Sequence, residues 1–216
     1  MPLTDLRELN DHTYLGFWTI TETIPELELL FQKLRPDQEK CVFKSEVRQK
    51  EWLASRILAY LLLQNFTPEK HLLSSNENGK PEFAGTNFHV SISQSGGQVA
   101  VILSDSFEVG IDIEILREKI LKIAFKFLSA KELEFAGNNF EKICLYWSAK
   151  ETLYKMYSRK QLLFIENLHV GSVNSIESGE LEGTVSTEDF NRNYCVQYEK
   201  LGNFILTYCL TSPTNK

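Results

Sequence analysis

Two carboxylates lie two residues apart in the segment VGIDIE, residues 109–114. In an extended strand Asp112 and Glu114 project from one face, while Ile111 and Ile113 project from the other. Such a pair suits a hard cation: Mg²⁺ commonly takes one or two carboxylates, with waters and substrate phosphates completing its shell. The pair therefore points to a phosphate-bearing substrate. Taken alone, a D-x-E pattern is more typical of the solvated face of an edge strand, because acidic residues mostly lie on the surface.

A second group of chemically useful residues is WSAKETLYK, residues 147–155. On a helix, Glu151 and Lys155 are i and i+4 and lie side by side. This arrangement could serve a phosphate site, or it could be a surface ion pair worth about 0.3 to 0.5 kcal/mol. Taken by itself, the spacing favours the surface ion pair.

A third segment, SISQSGGQ at residues 91–98, combines hydroxyls with glycine amides. Hydroxyl and amide donors can cradle an anion, although a Ser/Gly turn between two strands explains the same pattern.

The elements that must position these residues follow from periodicity and from turn signals. A helix is predicted from Ser45 to Gln64, and two strands, FHVSIS and QVAVILS, are predicted to join through Gly96 and Gly97. Ser129 and Glu132 have the spacing of a capping box, which predicts the start of a helix. The remaining predictions are a strand at Val109–Ile113, helices at Leu116–Phe127 and Phe140–Tyr157, and strand-like pieces at Leu163–Val170, Leu181–Val185 and Tyr194–Leu210.

Helices and strands occur in both halves, and no Pro/Gly/Ser-rich linker separates them. This favours an α+β fold of two closely packed lobes, residues 1–104 and 105–216. The chain has 216 residues, of which 43% are apolar, so it can bury a sizeable core.

Charge and cysteine usage exclude several classes of protein. With 23 basic and 29 acidic residues, the net charge of −6 argues against a protein that coats nucleic acid or an anionic membrane. The four cysteines are scattered without a CxxC pair, so they indicate neither a zinc site nor a redox motif, and we expect buried or partly buried thiols. The first residues lack the apolar stretch of a signal peptide, and no apolar run approaches the roughly 20 residues of a membrane span, which predicts a cytoplasmic protein.

The order and spacing of the three segments resemble the 4′-phosphopantetheinyl transferase superfamily, particularly its longer, two-lobed bacterial members. The Gly-Ile-Asp-Ile-Glu motif of the family is intact at residues 110–114, and W-x-x-K-E with a lysine four residues on is intact as Trp147, Lys150, Glu151 and Lys155. The family's Ser-His-Ser turn is matched by residues 93–95, with Gln94 where histidine is usual. The EWLASR stretch, with Arg48 and Arg56, and the turn Gly79-Lys80-Pro81 also look like family features.

The resemblance implies two pseudo-symmetric lobes, each a small antiparallel sheet packed with helices, with the active site at the lobe interface. It implies transfer of the 4′-phosphopantetheine arm of coenzyme A to a serine of an acyl or peptidyl carrier protein. The implied metal is Mg²⁺, with Mn²⁺ as an alternative, held by Asp112, Glu114 and Glu151. The implied catalytic residues are Glu151, as the base, and Lys155, which steadies the departing adenosine bisphosphate. The residues implied to bind coenzyme A are Arg48, Arg56, Lys80, Ser93, Gln94, Asp112 and Lys155.

The resemblance also implies an acidic carrier protein as partner, and the basic residues Arg117, Lys119, Lys122 and Lys126 could receive it. These residues are equally compatible with a solvated helix face. A monomer is expected, since two lobes build the cleft within one chain. Two other functions remain open: another Mg²⁺-dependent phosphoryl hydrolase or transferase, and a catalytically impaired, carrier-binding relic in which Gln94 is a first sign of decay.

Overall fold

The structure is a computed structural model, and it describes residues 3–35, 37–38, 41–159 and 162–213. The chain divides into two compact units, one that runs to Glu108 and a second formed by Val109–Thr211. Within the described ranges, no helix is both long enough and apolar enough to cross a membrane.

The first unit is a six-stranded sheet with two helices. Its strands follow the order β1-β2-β6-β5-β4-β3, and the strand pairs are antiparallel. The elements are β1 (Leu3–Asn10), β2 (Thr13–Thr19), α1 (Ile24–Leu34), α2 (Glu46–Leu63), β3 (Leu73–Ser75), β4 (Pro81–Phe83), β5 (His89–Ser95) and β6 (Gln98–Ser104).

Helix α2 and the β5–β6 hairpin confirm two of the sequence predictions. Ser45 is the N-cap of α2, where its side chain accepts a hydrogen bond from the Arg48 amide at 3.4 Å. Gly96 and Gly97 both have positive φ, 59° and 82°. A two-residue hairpin turn needs positive φ at both positions when its twist is to match that of the strands, and glycine adopts it without strain.

The second unit is a five-stranded sheet in the order β7-β11-β10-β9-β8, against which the long helix α4 packs. With two antiparallel sheets, each packed with helices, the predicted α+β class is confirmed. The elements are β7 (Glu108–Ile115), α3 (Ala130–Ala136), α4 (Phe140–Tyr157), α5 (Phe164–Asn167), β8 (Leu168–Val170), β9 (Ser178–Ser186), β10 (Asn191–Leu201) and β11 (Phe204–Thr211).

The helix predicted from Leu116 to Phe127 is wrong. The segment instead forms two short 3₁₀ turns, Glu118–Lys122 and Ala124–Lys126. Apolar residues spaced three and four apart fit either kind of helix, and here Ala124 is the only residue of the two turns that is buried. A segment that buries so little apolar surface gains little from the longer hydrogen-bonded ladder of an α-helix.

Two strand predictions also need correction. The piece at 163–170 is a helical turn, α5, followed by only three residues of strand. The piece at 194–210 is two strands, β10 and β11, that turn back at Gly202, whose φ is 60°. The prediction for the cysteines is wrong for Cys41 and Cys195, which are exposed, while Cys144 and Cys209 are buried.

A buried lysine organises the second unit around α4. The Lys150 side chain is 0% exposed, and its ammonium donates to Glu132 Oε2 and the Phe127 carbonyl, both at 2.8 Å, and to the Phe164 carbonyl at 3.0 Å. Glu132 in turn accepts from the main-chain amides of Ser129, at 2.8 Å, and Val170, at 3.0 Å. One ion pair therefore ties together α3, the start of α5 and strand β8.

Replacing Lys150 with methionine should destabilise the protein strongly, because it leaves the Glu132 carboxylate buried without its cation. Breaking a buried pair from one side costs about 3 to 5 kcal/mol. The measurement is the free energy of unfolding in denaturant, with Lys142→Met on the same helix as the matched control. A loss for Lys150→Met within about 0.5 kcal/mol, the range of ordinary surface substitutions, would contradict this role.

Candidate active site

Strand β7 carries the first two candidate ligands. Asp112 is only 3% exposed, and Glu114, two residues on, is partly exposed. Ile111, just before Asp112, and Ile113, between the two carboxylates, are both buried. The burial of Asp112 rules out the interpretation of this residue as part of a solvated strand face.

Helix α4 comes close to β7 at Gly110. A Cβ at this position would lie 2.9 Å from both the Thr152 carbonyl oxygen and the Met156 sulfur, so only glycine fits without a shift of the helix. This close approach brings the face of α4 that carries Ser148, Glu151 and Lys155 to the strand.

The Asp112 carboxylate is held on both oxygens by α4. Lys155 Nζ lies 2.8 Å from Asp112 Oδ1 and also donates to the Ile111 carbonyl at 2.7 Å. Ser148 Oγ donates to Asp112 Oδ2 at 2.8 Å. Lys155 thus forms its ion pair across to the strand, and the interpretation of this lysine as half of a surface pair along the helix is wrong.

Glu114 is held by Trp147, the residue that precedes Ser148 on α4. Trp147 Nε1 donates to Glu114 Oε1 at 3.0 Å. The indole ring is fixed by an edge contact with Phe127, centroids 4.8 Å apart, and by stacking on Phe164 at 5.4 Å. The tryptophan of W-x-x-K-E therefore orients the second carboxylate of the D-x-E pair.

Glu151 is electrostatically coupled to both strand carboxylates. The pKa of Glu151 is raised to about 7, first by burial and then by the negative charges of Asp112 and Glu114, while the positive charge of Lys155 opposes this shift. Two like charges close enough to perturb a third carboxyl mean that Asp112, Glu114 and Glu151 form one acidic cluster. An accumulation of negative charge of this kind is relieved by a cation.

The donor set of this cluster fits a hard divalent cation. All three side chains offer oxygen ligands, which Mg²⁺ and Mn²⁺ prefer. Over the described part of the chain, no three His, Cys, Asp or Glu side chains already have the geometry of a metal site. Asp112 instead pairs with Lys155, so metal binding requires the lysine or the carboxylates to adjust.

The predicted cationic residues Arg48, Arg56 and Lys80 lie in the first unit. Arg56 is partly buried, with its guanidinium 4.3 Å from the Trp52 ring centroid, and burial lowers its pKa. Burial also lowers the pKa of Lys80, which the carboxylate of Glu108 partly offsets. Arg48 is exposed and lies over Phe43. A cation that has lost part of its hydration gains more from an anionic ligand than a fully hydrated one.

Ser93 and Gln94 lie at the end of β5, where adjacent side chains point to opposite faces. Ser93 is 8% exposed and faces the interior, while Gln94 is exposed. The predicted coenzyme A contacts Arg48, Arg56, Lys80, Ser93 and Gln94 all belong to the first unit, whereas the acidic cluster and Lys155 belong to the second.

Sequence reasoning missed several residues that contact Asp112 or Lys150, directly or through one another. Ser148, inside the W-x-x-K-E motif, was a variable position without an assigned role, yet it binds Asp112 directly. Thr207, which contacts Ser148, carries no motif, and Thr152, which contacts Thr207, lies between Glu151 and Lys155 without an assigned role. The capping box did mark Glu132, but nothing in the sequence pairs it with Lys150, 18 residues away.

Comparison with known proteins finds a family that matches this part of the chain. A family model described as the 4′-phosphopantetheinyl transferase superfamily matches residues 108–209, which contain the acidic cluster. Relatives include the 4′-phosphopantetheinyl transferase AcpT of Salmonella typhi, 42% identical over 74 residues, or 34% of this chain. That match spans only 36% of the length of the Salmonella relative.

A longer match is to the 4′-phosphopantetheinyl transferase AcpT of Escherichia coli O157:H7, 29% identical over 145 residues. It covers 62% of this chain and 72% of the relative. The D-x-E strand and the helix that holds it both lie within the residues that match the family model, so the second unit of this chain is similar to the 4′-phosphopantetheinyl transferase superfamily.

Proposed function

We propose that this protein transfers the 4′-phosphopantetheine group of coenzyme A to a serine of an acyl or peptidyl carrier protein, in a reaction that requires Mg²⁺ or Mn²⁺. The observation that carries the proposal is the acidic cluster itself. Asp112 and Glu114 lie close enough to Glu151 to raise its pKa, and Lys155 lies 2.8 Å from Asp112. Three carboxylates and a lysine suit a diphosphate held with a divalent cation.

The reaction exchanges the phosphoanhydride bond of coenzyme A for a phosphoester bond to the carrier protein. The carrier serine Oγ attacks the β-phosphorus of coenzyme A, and the bond from that phosphorus to the leaving adenosine bisphosphate oxygen breaks. The serine proton passes to Glu151, directly or through a water, and Lys155 stabilises the negative charge that develops on the leaving group. A bound cation would neutralise the diphosphate charge and make the serine hydroxyl more acidic. No covalent intermediate on the protein is needed, since positioning and charge neutralisation supply most of the rate.

The first unit supplies the proposed contacts to coenzyme A. Arg48 and Arg56 are assigned to the nucleotide end, and Lys80, Ser93 and Gln94 to phosphates. Partial burial of Arg56 and Lys80 supports these assignments, because their pKa values are lowered by desolvation and an anion would offset that cost. A cytoplasmic location and a monomeric state remain predictions from the sequence.

The direct test is to incubate the protein with coenzyme A, Mg²⁺ and an apo carrier protein, and to weigh the carrier by mass spectrometry. We expect the carrier to gain one phosphopantetheine group. Cleavage of coenzyme A without modification of the carrier would favour a hydrolase instead, and binding without either reaction would favour a non-catalytic relic.

The same assay tests the acidic cluster. Asp112→Asn, Glu114→Gln and Glu151→Gln each keep the size of the side chain but remove a charge. Loss of a direct ligand should exceed the roughly 10- to 100-fold effect of an outer-shell change. Glu134→Gln, an exposed carboxylate on α3, is the matched control. A folded cluster variant with wild-type turnover at limiting Mg²⁺ would remove that residue from the proposed site.

An acidic carrier should dock on the 3₁₀ segment that follows β7. Lys119, Lys122 and Lys126 are exposed there, together with the apolar side chains of Ile123 and Phe125, 45% and 63% exposed. Basic and apolar groups on one segment suit a partner with an acidic surface and an apolar contact.

Reversing two of these charges, Lys122→Glu with Lys126→Glu, should raise the KM for the carrier about tenfold and change the KM for coenzyme A little. Added salt should weaken wild-type carrier binding in the same direction, through screening. The control is Lys70→Glu with Lys131→Glu, which changes the net charge equally at two other exposed lysines. Equal effects of the two double variants would mean that only net charge matters.

The glutamine at position 94 should make coenzyme A binding less sensitive to pH than a histidine would. Gln94→His introduces a group with an unperturbed pKa of about 6.5, which is positively charged below that pH and neutral above it. The KM for coenzyme A in the variant should therefore fall relative to wild type at about pH 6, and approach it at about pH 8. Gln64→His, at the exposed end of α2, is the control. Parallel pH profiles would mean that residue 94 does not face the phosphates.

A further inference from the structure

Three buried hydroxyl groups lie in series behind Asp112, and the proposed reaction gives none of them a role. Ser148 and Thr152 are on α4 and Thr207 is on β11, and each is 0% exposed. Ser148 Oγ is 2.8 Å from Asp112 Oδ2, Thr207 Oγ1 is 2.9 Å from Ser148 Oγ, and Thr152 Oγ1 is 2.7 Å from Thr207 Oγ1. The series joins the helix, the strand β11 and the strand β7.

The direction of each hydrogen bond follows from the first one. Asp112 pairs with the Lys155 ammonium as a carboxylate, so it can only accept, and the Ser148 hydroxyl must donate to it. Because the single Ser148 proton is then committed, Thr207 must be the donor toward Ser148, whose Oγ and carbonyl oxygen both lie 2.9 Å away. The Thr207 proton is committed in the same way, so Thr152 donates toward Thr207, at Oγ1 or at its carbonyl oxygen 3.3 Å away.

Ser148 therefore donates to the carboxylate, Thr207 donates to Ser148 at Oγ or at its carbonyl oxygen, and Thr152 donates to Thr207. Where Thr207 donates to Ser148 Oγ, the two hydrogen bonds polarise each other and strengthen the bond to the charged acceptor. A hydroxyl without exposure to water costs free energy unless it is bonded, and an apolar side chain of similar size would fill the same space. What the hydroxyls add over an apolar core is a fixed orientation of the Asp112 carboxylate.

We propose that Ser148, Thr207 and Thr152 are positioning residues that set the orientation of Asp112 for metal binding, an inference that rests on the proposed function. Ser148 holds Oδ2 while Lys155 holds Oδ1, so the plane of the carboxylate is fixed relative to α4. The same helix carries Glu151. The chain thereby couples the position of the strand ligand to that of the helix ligand, as hydrogen-bonded outer-shell groups do in metal sites.

The test measures metal affinity directly, as the dissociation constant of Mn²⁺ in the presence of saturating coenzyme A, by electron paramagnetic resonance on folded protein. Ser148→Ala should weaken Mn²⁺ binding by about 10- to 100-fold, the usual effect of losing an outer-shell partner. Thr207→Val should weaken it less, and Thr152→Val least, since each is one bond further from Asp112. In transfer assays, high metal concentration should restore most of the turnover.

Conservative variants separate a positioning role from a merely structural one. Ser148→Thr and Thr207→Ser keep a hydroxyl and should bind Mn²⁺ nearly as wild type does. Ser148→Cys keeps the size of the side chain with only a weak donor, so it should fold and still bind the metal weakly. Thr184→Val is the control, because this strand hydroxyl in the same sheet bonds Asn193 at 2.9 Å, away from the series.

Each outcome decides the inference. If wild type transfers and binds Mn²⁺, and folded Ser148→Ala and Ser148→Cys bind it as tightly, the inference falls while the proposed function stands. If every variant without a hydroxyl unfolds while Thr207→Ser folds, the series serves stability alone. If wild type with coenzyme A binds no Mn²⁺, the proposed metal site is wrong and this inference fails with it.

Discussion

The second unit can bring its charged side chains together only because helix α4 approaches strand β7 closely at Gly110. At 2.9 Å from a Thr152 carbonyl oxygen, there is no room for a side chain at that position. The absence of a Cβ lets the helix lie near enough for Ser148 and Lys155 to reach both oxygens of Asp112. A larger residue at 110 would push the helix outward and lengthen these bonds together. The glycine of the D-x-E motif is thus a packing requirement for the electrostatics next to it.

Helix α4 carries two lysines, Lys150 and Lys155, in different environments. Lys150 is closed off from water and satisfied by a carboxylate and two carbonyls, so its charge holds the framework together. Lys155 is partly exposed and pairs with a carboxylate that has a like-charged neighbour. The enclosed ammonium group of Lys150 is held in place by its three acceptors. In the proposed reaction, the partly exposed ammonium group of Lys155 can move toward an incoming phosphate. Of the two lysines of this motif, Lys150 therefore supports the fold, and Lys155 is the one to which the proposed reaction assigns a role.

The sequence predicted the parts of this arrangement that depend on neighbours along the chain. Alternation placed Asp112 and Glu114 on one side of a strand, the capping box marked the start of α3, and the paired glycines marked a hairpin. The strands β1 and β2 and the helix α1 were not predicted from the sequence. The 3₁₀ turns after β7 were missed because spacings of three and four fit both helix types. Contacts such as Ser148 with Thr207 join residues 59 apart, and no local pattern reports them.

Strand β7, which carries Asp112 and Glu114, has β11 as its neighbour in the sheet, although nearly the whole second unit lies between them in the chain. During synthesis, β7 leaves the ribosome early and must wait for β11, the last strand of the unit, before its edge is paired and Thr207 is in place. Pairings between distant segments also form slowly, since a long loop has to close first. A nascent chain that already contains Asp112, Glu114, Glu151 and Lys155 would still lack the strand that completes their support. Strand β7 is therefore among the first parts of the unit to be synthesised and among the last to be paired.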